Sequence, residues 1–287
     1  MGAKLAMQAE ELLKAGDLGG ALSALQDQVR KSPADAKLRV FLFQLLCVIG
    51  DWKRAITQLK VCGELDETAT PMAQTYREAI ICEVYREKVF AGEKAPLVFG
   101  EPNEWIALLI EALKPEAAGK AEKAAGLREK AFDMADAVAG TLNGEPFEWV
   151  ADADMRLGPV LEIIVNGRYF WAPFDTVHKI KAEEPSDLRD RVWTAVEITW
   201  ANGGDAVALI PTRYAGTLGA EDSALKMSHA TSWDDSGTKA LGQRLLATDQ
   251  ADCALMDLRE LVLGDPPVVE LRPEEGTDEA SESEADG

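Results

Sequence analysis

The chain contains few of the side chains on which enzymes and metal sites usually depend. Its 287 residues include only two histidines, His178 and His229, and four cysteines. No His-Glu-x-x-His stretch and no Cys-x-x-Cys pair occurs, so we expect no zinc site. Three of the cysteines fall in apolar, helix-like stretches, which predicts structural thiols rather than a disulfide or a metal centre.

The common phosphate-binding and nucleophile motifs are missing as well. No Gly-x-Ser-x-Gly, Gly-x-Gly-x-x-Gly or Walker-type loop occurs. The stretch 152–158 begins like a calcium loop, but Arg156 stands at the third ligand position and Ile163 where the bidentate Glu is needed. We therefore predict that the protein is not an enzyme and that it holds no metal or cofactor.

Long apolar runs are absent, and so is an excess of basic residues. No stretch of about 18 uncharged apolar residues occurs, and the first 16 residues include acids where a secretory signal needs apolar residues. We therefore expect a cytoplasmic protein without membrane contact. The net charge of −20 argues against a nucleic-acid partner, because Lys and Arg bind the phosphate backbone.

The segment 265–287 is the most acidic part of the chain. It carries nine acids against Arg272 alone, which leaves a net charge of −12 on residues 1–264. Its final part has almost no apolar residue and is predicted to be a disordered tail. Two interpretations of this tail stay open: an extension that increases solubility, and an acidic segment that attracts a basic partner.

A pattern of small and apolar residues recurs along the first part of the chain. The set Gly16-Asp17, Ala21-Leu22 and Leu25 is repeated 34 residues later as Gly50-Asp51, Ala55-Ile56 and Leu59. This is the period of tetratricopeptide repeats, although loose helical hairpins can imitate it. A third helix is expected after Pro71, and two more over 104–113 and 116–139. We predict a tetratricopeptide-like helical domain over residues 1–140.

The periodicity changes to that of strands near residue 141. Leu161, Ile163 and Val165 alternate with the polar Glu162, and Asn166-Gly167 follows as a hairpin turn. A second pair of strands is expected over 192–200 and 206–210, joined at 202–204. The stretch 254–263 fits a strand or a helix. We predict an α+β protein whose residues 141–264 form a small, antiparallel, barrel-like β domain, with no strand before residue 100.

Tryptophan and arginine are concentrated in this second half. Five of the seven tryptophans are there, and most are expected in the core, while one or two exposed ones would anchor a partner. The arginines are expected to form internal ion pairs with Asp152, Asp154, Asp187 and Asp190. The candidates for partner binding, or for the join between the two halves, are Arg156, Trp171, Arg189, Arg213, Tyr214 and Trp233.

Several short runs in the second half resemble one known family. They are Phe147 to Pro159 followed by Leu161-Glu162, Tyr169 to Pro173, Pro185 to Trp193, Ile210 to Tyr214, Thr231 to Trp233, and Gly242 to Arg244. In order and spacing they are similar to the ImpE family, also called TagJ. With the N-terminal repeats, the resemblance covers the chain except for the acidic tail.

The resemblance implies an accessory protein of a bacterial type VI secretion system, with a helical half and a β half. It further implies binding to a helix of the small sheath subunit, TssB, and a link to the ClpV ATPase that dismantles contracted sheath. The alternatives are a helical-repeat scaffold for an unrelated protein partner and a purely structural subunit.

Overall fold

The computed structural model describes residues 2–101 and 103–264, so the predicted acidic tail lies outside the described residues. Seven of its helices precede residue 135 and a short eighth follows among the strands. They are α1 (Gly2–Lys14), α2 (Leu18–Lys31), α3 (Ala36–Ile49), α4 (Trp52–Leu65), α5 (Thr70–Phe90), α6 (Glu104–Ala117), α7 (Ala121–Met134) and α8 (Ser223–Lys226). Within the described ranges, no helix is both long enough and apolar enough to cross a membrane.

The recurring residues of the first half mark equivalent positions in two helix pairs. Asp17 and Asp51 are the N-caps of α2 and α4, where their carboxylates accept backbone N–H groups of the first helical turn. Ala21 and Ala55 are fully buried, which lets α1 pack closely on α2 and α3 on α4. The helical pairs are therefore present, but a tetratricopeptide-type repeat is not confirmed by them.

Apart from one short strand, all strands follow residue 139. They are β1 (Leu97–Val98), β2 (Gly140–Leu142), β3 (Glu145–Phe147), β4 (Val150–Asp152), β5 (Val160–Val165), β6 (Arg168–Pro173), β7 (Val177–Ala182), β8 (Trp193–Trp200), β9 (Asp205–Pro211), β10 (Thr231–Trp233), β11 (Ala240–Gly242), β12 (Leu245–Thr248), β13 (Asp252–Ala254) and β14 (Glu260–Leu263). The main sheet has nine strands in the order β1-β6-β5-β9-β8-β7-β14-β2-β3. Two further sheets contain β10-β11 and β13-β12-β4.

The prediction of a barrel-like domain was wrong. In the described part of the chain the main sheet begins at β1 and ends at β3, and these edge strands do not pair with each other. The sheet is therefore open, whereas a barrel requires closure. The prediction failed because alternation within single strands reports which face is buried and carries no information on closure.

The prediction of no strand before residue 100 and of no parallel pairing was also wrong. Strand β1 lies in the loop between α5 and α6 and pairs in parallel with β6, with Leu97 opposite Phe170 and Val98 opposite Trp171. Two residues are too few to show an alternating pattern, so the sequence gives no local signal for this strand.

The two predicted hairpins are confirmed. Asn166 and Gly167 have φ angles of 49° and 69° and join β5 to β6, with Val165 opposite Arg168. These positive φ angles explain the choice of Asn and Gly at this turn. Strands β8 and β9 pair from Trp193 opposite Pro211 to Thr199 opposite Asp205. The undecided stretch 254–263 contains a single 3₁₀ turn and then β14.

The main sheet has an apolar core on each face. On one face, Trp171, Trp193 and Leu209 belong to the same cluster as the buried side chains of α1 to α6. The Trp193 ring lies 6.0 Å from that of Trp52 and 5.6 Å from that of Tyr76, measured between centroids. The opposite face has its own cluster within the second half, which includes Ile163, Ile198 and Leu261. The helices therefore cover one face of the sheet, around β5, β6 and the start of β8.

Gly50, which follows the last residue of α3, should tolerate substitution poorly. It has a φ of 85°, and an added Cβ would lie 2.6 Å from Cδ1 of Leu218. Gly50→Ala should therefore lower the free energy of unfolding by about 1–3 kcal/mol, measured by urea denaturation. Gly63→Ala, inside α4 with its nearest atom at 3.7 Å, is the control and should raise it by up to about 1 kcal/mol. Equal stability of the two variants would contradict this account of the α3 terminus.

Candidate functional site

An apolar groove of about 670 Å³ lies between the helices and the segment that precedes β8. Its walls come from α1, from α3, from residues 185–191 and from the end of α8. The lining residues are Glu10, Leu13, Lys14, Lys37, Leu38, Phe41, Gln44, Pro185, Ser186, Asp187, Leu188, Arg191, Met227 and His229. We call this surface the groove. It is built from both halves of the chain.

The apolar part of the groove follows from helical spacing. Leu38 and Phe41 are one turn apart on α3, so they share a face, and both are half-buried. Leu13 of α1 is buried beside them, and Leu188 and Met227 add apolar surface from the second half. The 3₁₀ turn Leu188–Arg191 packs directly on α3. The position of α3 against the sheet half therefore sets the shape of the groove.

A buried ion pair joins the helices to the sheet. Arg86 of α5 donates from Nε to Glu162 Oε1 of β5 at 2.6 Å and from Nη2 to Oε2 at 2.8 Å. Both side chains are almost completely buried. Arg86 Nη2 also donates to the backbone oxygen of Arg213 at 2.9 Å. Bidentate arginine–carboxylate geometry is directional, so this pair fixes the orientation of α5 on the sheet.

Glu162 is shared with a second buried arginine. Arg244, which precedes β12, donates to Glu162 and also to Asp152 at the end of β4, and all three side chains are buried. The hydroxyl of Tyr169 donates to Glu162 as well, and Trp171 Nε1 donates to that hydroxyl oxygen at 2.8 Å. We call Arg86, Glu162, Arg244 and Asp152 the joint network.

The joint network separates the pKa values of its two carboxylates. Burial favours the neutral form of each, and it raises the pKa of Asp152 to about 6 in spite of the neighbouring Arg244. For Glu162, burial is outweighed by Arg86 and Arg244, which hold its pKa at about 2. Glu162 is therefore the ionised centre on which both arginines converge.

Glu83, one turn before Arg86 on α5, extends the contacts to the start of β8. Its carboxylate accepts from Trp193 Nε1 at 3.1 Å and from Arg86 Nη1 at 3.4 Å. Burial raises its pKa, although Arg86 and Arg213 oppose that rise. Glu83 and the carboxylates of the joint network thus accept hydrogen bonds from donors in both halves of the chain.

The structure brings four of the six predicted candidate residues to the join between helices and sheet. Arg156 lies over the ring of Phe90 at 5.0 Å and Trp171 packs on the same ring. Arg189 pairs with Asp187 and lies over the ring of Tyr76 at 4.9 Å. Arg213 donates to the backbone oxygens of residues 48 and 47 at 2.7 and 3.2 Å, at the C-terminal end of α3.

Of the other two candidates, Tyr214 contacts the joint network, because the guanidinium of Arg244 lies 5.2 Å from the centre of its ring, whereas Trp233 lies on β10. Tyr214 is buried within the second half, where its hydroxyl accepts from the backbone N–H of Leu245 at 2.9 Å. Trp233 is 38% exposed on β10. None of the six is among the side chains that line the groove in the described part of the chain.

The sequence analysis missed Arg86, Arg244 and the role of Glu162. Alternation along β5 assigned Glu162 to a polar face, but α5 covers that face and the side chain is completely buried. Arg86 lies close to the charged Glu83, Glu87 and Lys88 on a helix, so nothing in its local sequence distinguishes it from a solvent-exposed residue.

Among the residues that the structure describes, no group of three or more His, Cys, Asp or Glu is arranged to hold a metal ion.

Two comparisons with known proteins identify the family, and a solved structure shares the fold. A family model described as "ImpE protein" matches residues 144–262. The type VI secretion system accessory component TagJ of Pseudomonas aeruginosa is 57% identical over 257 residues, which cover 90% of this chain and 91% of that protein. A crystal structure of a Vibrio parahaemolyticus protein is 25% identical and superimposes with a TM-score of 0.81, over 90% of this chain and 98% of the other.

Arg156 should contribute to stability through a buried carboxylate. Its Nε lies 2.9 Å from Oδ1 of Asp154, which is fully buried, and its Nη atoms reach the backbone oxygen of Ala215 at 3.4 Å. Arg156→Ala should lower the free energy of unfolding by about 1–3 kcal/mol, measured by urea denaturation. The control Arg168→Ala removes an exposed arginine that lies over Phe170 and should cost at most about 1 kcal/mol. An unchanged melting temperature of Arg156→Ala, with unchanged partner binding, would show that the contact is dispensable.

Proposed function

Because this chain belongs to the ImpE family, we propose that it binds a helix of the type VI sheath's small subunit, TssB, and links the sheath to recycling by the ClpV ATPase. The Pseudomonas relative is a type VI secretion accessory component, and the family match supports an accessory role in type VI secretion for this chain. That the partner is TssB, and that the protein links the sheath to ClpV, is what we propose beyond this accessory role.

The groove is the observation that carries this proposal. A bound amphipathic helix places apolar side chains at i, i+3, i+4 and i+7, and it needs an apolar surface with matching depth. Leu38 and Phe41 of α3 provide such a surface, and Leu188 of the sheet half borders it. A helix bound there would contact both halves of the protein at once.

We further propose an adaptor without a catalytic step. The two carboxylates of the joint network, Asp152 and Glu162, have displaced pKa values, and both are engaged by Arg244. Carboxylates paired in this way are suited to fixing the join between the halves, and this pairing supports a structural role for them. The apolar groove is suited to protein binding by contact area.

Binding of TssB in the groove should persist at high salt. Apolar contacts are not screened, whereas capture by the acidic segment 265–287 would weaken steeply as salt rises. Calorimetry of the full chain with purified TssB should therefore give dissociation constants within about tenfold of each other between 0.05 and about 0.5 M salt. A variant that ends at Gly264 should bind within about threefold of the full chain.

Substitution in the groove supplies the matched control. Phe41→Ala should weaken TssB binding by about tenfold or more, because it removes half-buried aromatic surface from the groove. Ile81→Ala, at a residue of α5 that is 51% exposed outside the groove, should leave the affinity unchanged. No heat and no co-elution at tens of micromolar would remove the mechanism and leave the family membership intact.

A further inference from the structure

The groove differs in charge from the protein around it. Three cationic side chains line it, Lys14, Lys37 and Arg191. Its acids are Glu10 and Asp187, and Asp187 is already engaged by Arg189. The chain as a whole has a net charge of −20. A locally basic apolar groove on an acidic protein indicates a ligand that carries both apolar and acidic groups.

Three of the four segments around the groove contribute one of these cations each. Lys14 ends α1, Lys37 lies in the first turn of α3, and Arg191 ends the turn that packs on α3. Lys14 and Lys37 are exposed, and among the described residues neither forms an ion pair. The cations therefore border the apolar surface of Leu38 and Phe41 on more than one side.

Arg191 differs from the two lysines because it is partly withdrawn from solvent. It is half-buried, and its Nη1 donates to the sulfur of Met256 at 3.3 Å. The carboxylate of the adjacent Asp190 accepts the backbone N–H groups of Ser186 and Asp187. Burial lowers the pKa of Arg191, and Asp190 only partly opposes that effect. A carboxylate brought by a ligand would offset the cost of burying this guanidinium.

We infer that the groove selects an amphipathic helix whose apolar stripe is bordered by Asp or Glu residues. This inference rests on the proposed function and adds the chemistry of the helix to it. The apolar stripe supplies most of the affinity, while the bordering acids meet Lys14, Lys37 and Arg191. Charges at the rim of an interface act mainly on the association rate and on the choice between partners.

The overall charge of the protein gives the opposite expectation. A net charge of −20 favours a basic peptide wherever long-range electrostatics decide. At physiological salt the Debye length is about 8 Å, so the cations in contact with the ligand outweigh charges elsewhere on the surface. A comparison of acidic and basic peptides therefore separates selection by the groove from general attraction.

Two synthetic helical peptides of about 18 residues provide the probe. Both carry the same leucines at i, i+3, i+4 and i+7, and these are bordered by Glu in one peptide and by Lys in the other. We expect the full chain to bind the Glu-bordered peptide at least about tenfold more tightly at 0.15 M salt, measured by fluorescence anisotropy. The double variant Lys14→Glu/Lys37→Glu should abolish or reverse this preference.

The control variant Lys31→Glu/Lys53→Glu makes the same change in net charge at exposed lysines outside the groove lining. It should keep the preference of the wild type. Absence of binding by both peptides, a preference for the Lys-bordered peptide, or a Glu preference that survives Lys14→Glu/Lys37→Glu would each overturn the inference.

Purified TssB, measured on the same variants, separates this inference from the proposed function. If TssB binds the wild type and Lys14→Glu/Lys37→Glu equally well, the charge selection is refuted and the proposed function stands. If TssB does not bind while the Glu-bordered peptide does, the proposed partner is wrong and the selection by the groove stands. If Lys14→Glu/Lys37→Glu weakens TssB binding and Lys31→Glu/Lys53→Glu does not, the result supports both the charge selection and the proposed function.

Discussion

The ion pair between Arg86 and Glu162 is the contact on which the arrangement of the two halves depends. It connects α5 to β5, and Arg244 extends it to Asp152 at the end of β4. Arg213 continues the connection to the last carbonyls of α3, the helix that forms part of the groove. The groove exists because α3 and the turn 188–191 are held side by side, and these buried polar contacts hold them there.

Buried charges at such a join are better understood as determinants of geometry than as a source of stability. Removing carboxylates and guanidinium groups from water costs several kcal/mol per ion, and well-packed apolar side chains often give equal stability. Apolar surfaces can slide on one another, whereas a bidentate ion pair has one favourable alignment. An adaptor whose binding surface spans both halves needs that single alignment.

Local features of the sequence predicted local structure correctly. The Asn166-Gly167 turn depends on a few neighbouring residues, and the structure contains it. The recurring Asp17 and Asp51, for which no role was predicted, are the N-caps of α2 and α4. Three features depend on partners that are distant in the chain: the open ends of the sheet, strand β1 and the burial of Glu162. Arg86 and Glu162, for example, are 76 residues apart. The groove was missed for the same reason, since its lining comes from four separate segments.

A double-mutant cycle between Arg86 and Glu162 tests the central claim most directly. The free energies of unfolding of the wild type, Arg86→Met, Glu162→Gln and the double variant would be measured by urea denaturation. The account predicts that each single substitution leaves a buried charge without its main partner, so that the double variant loses at least about 1.5 kcal/mol less than the two single losses combined. Losses that add to within about 0.5 kcal/mol would show that the two side chains act independently, and they would contradict the account.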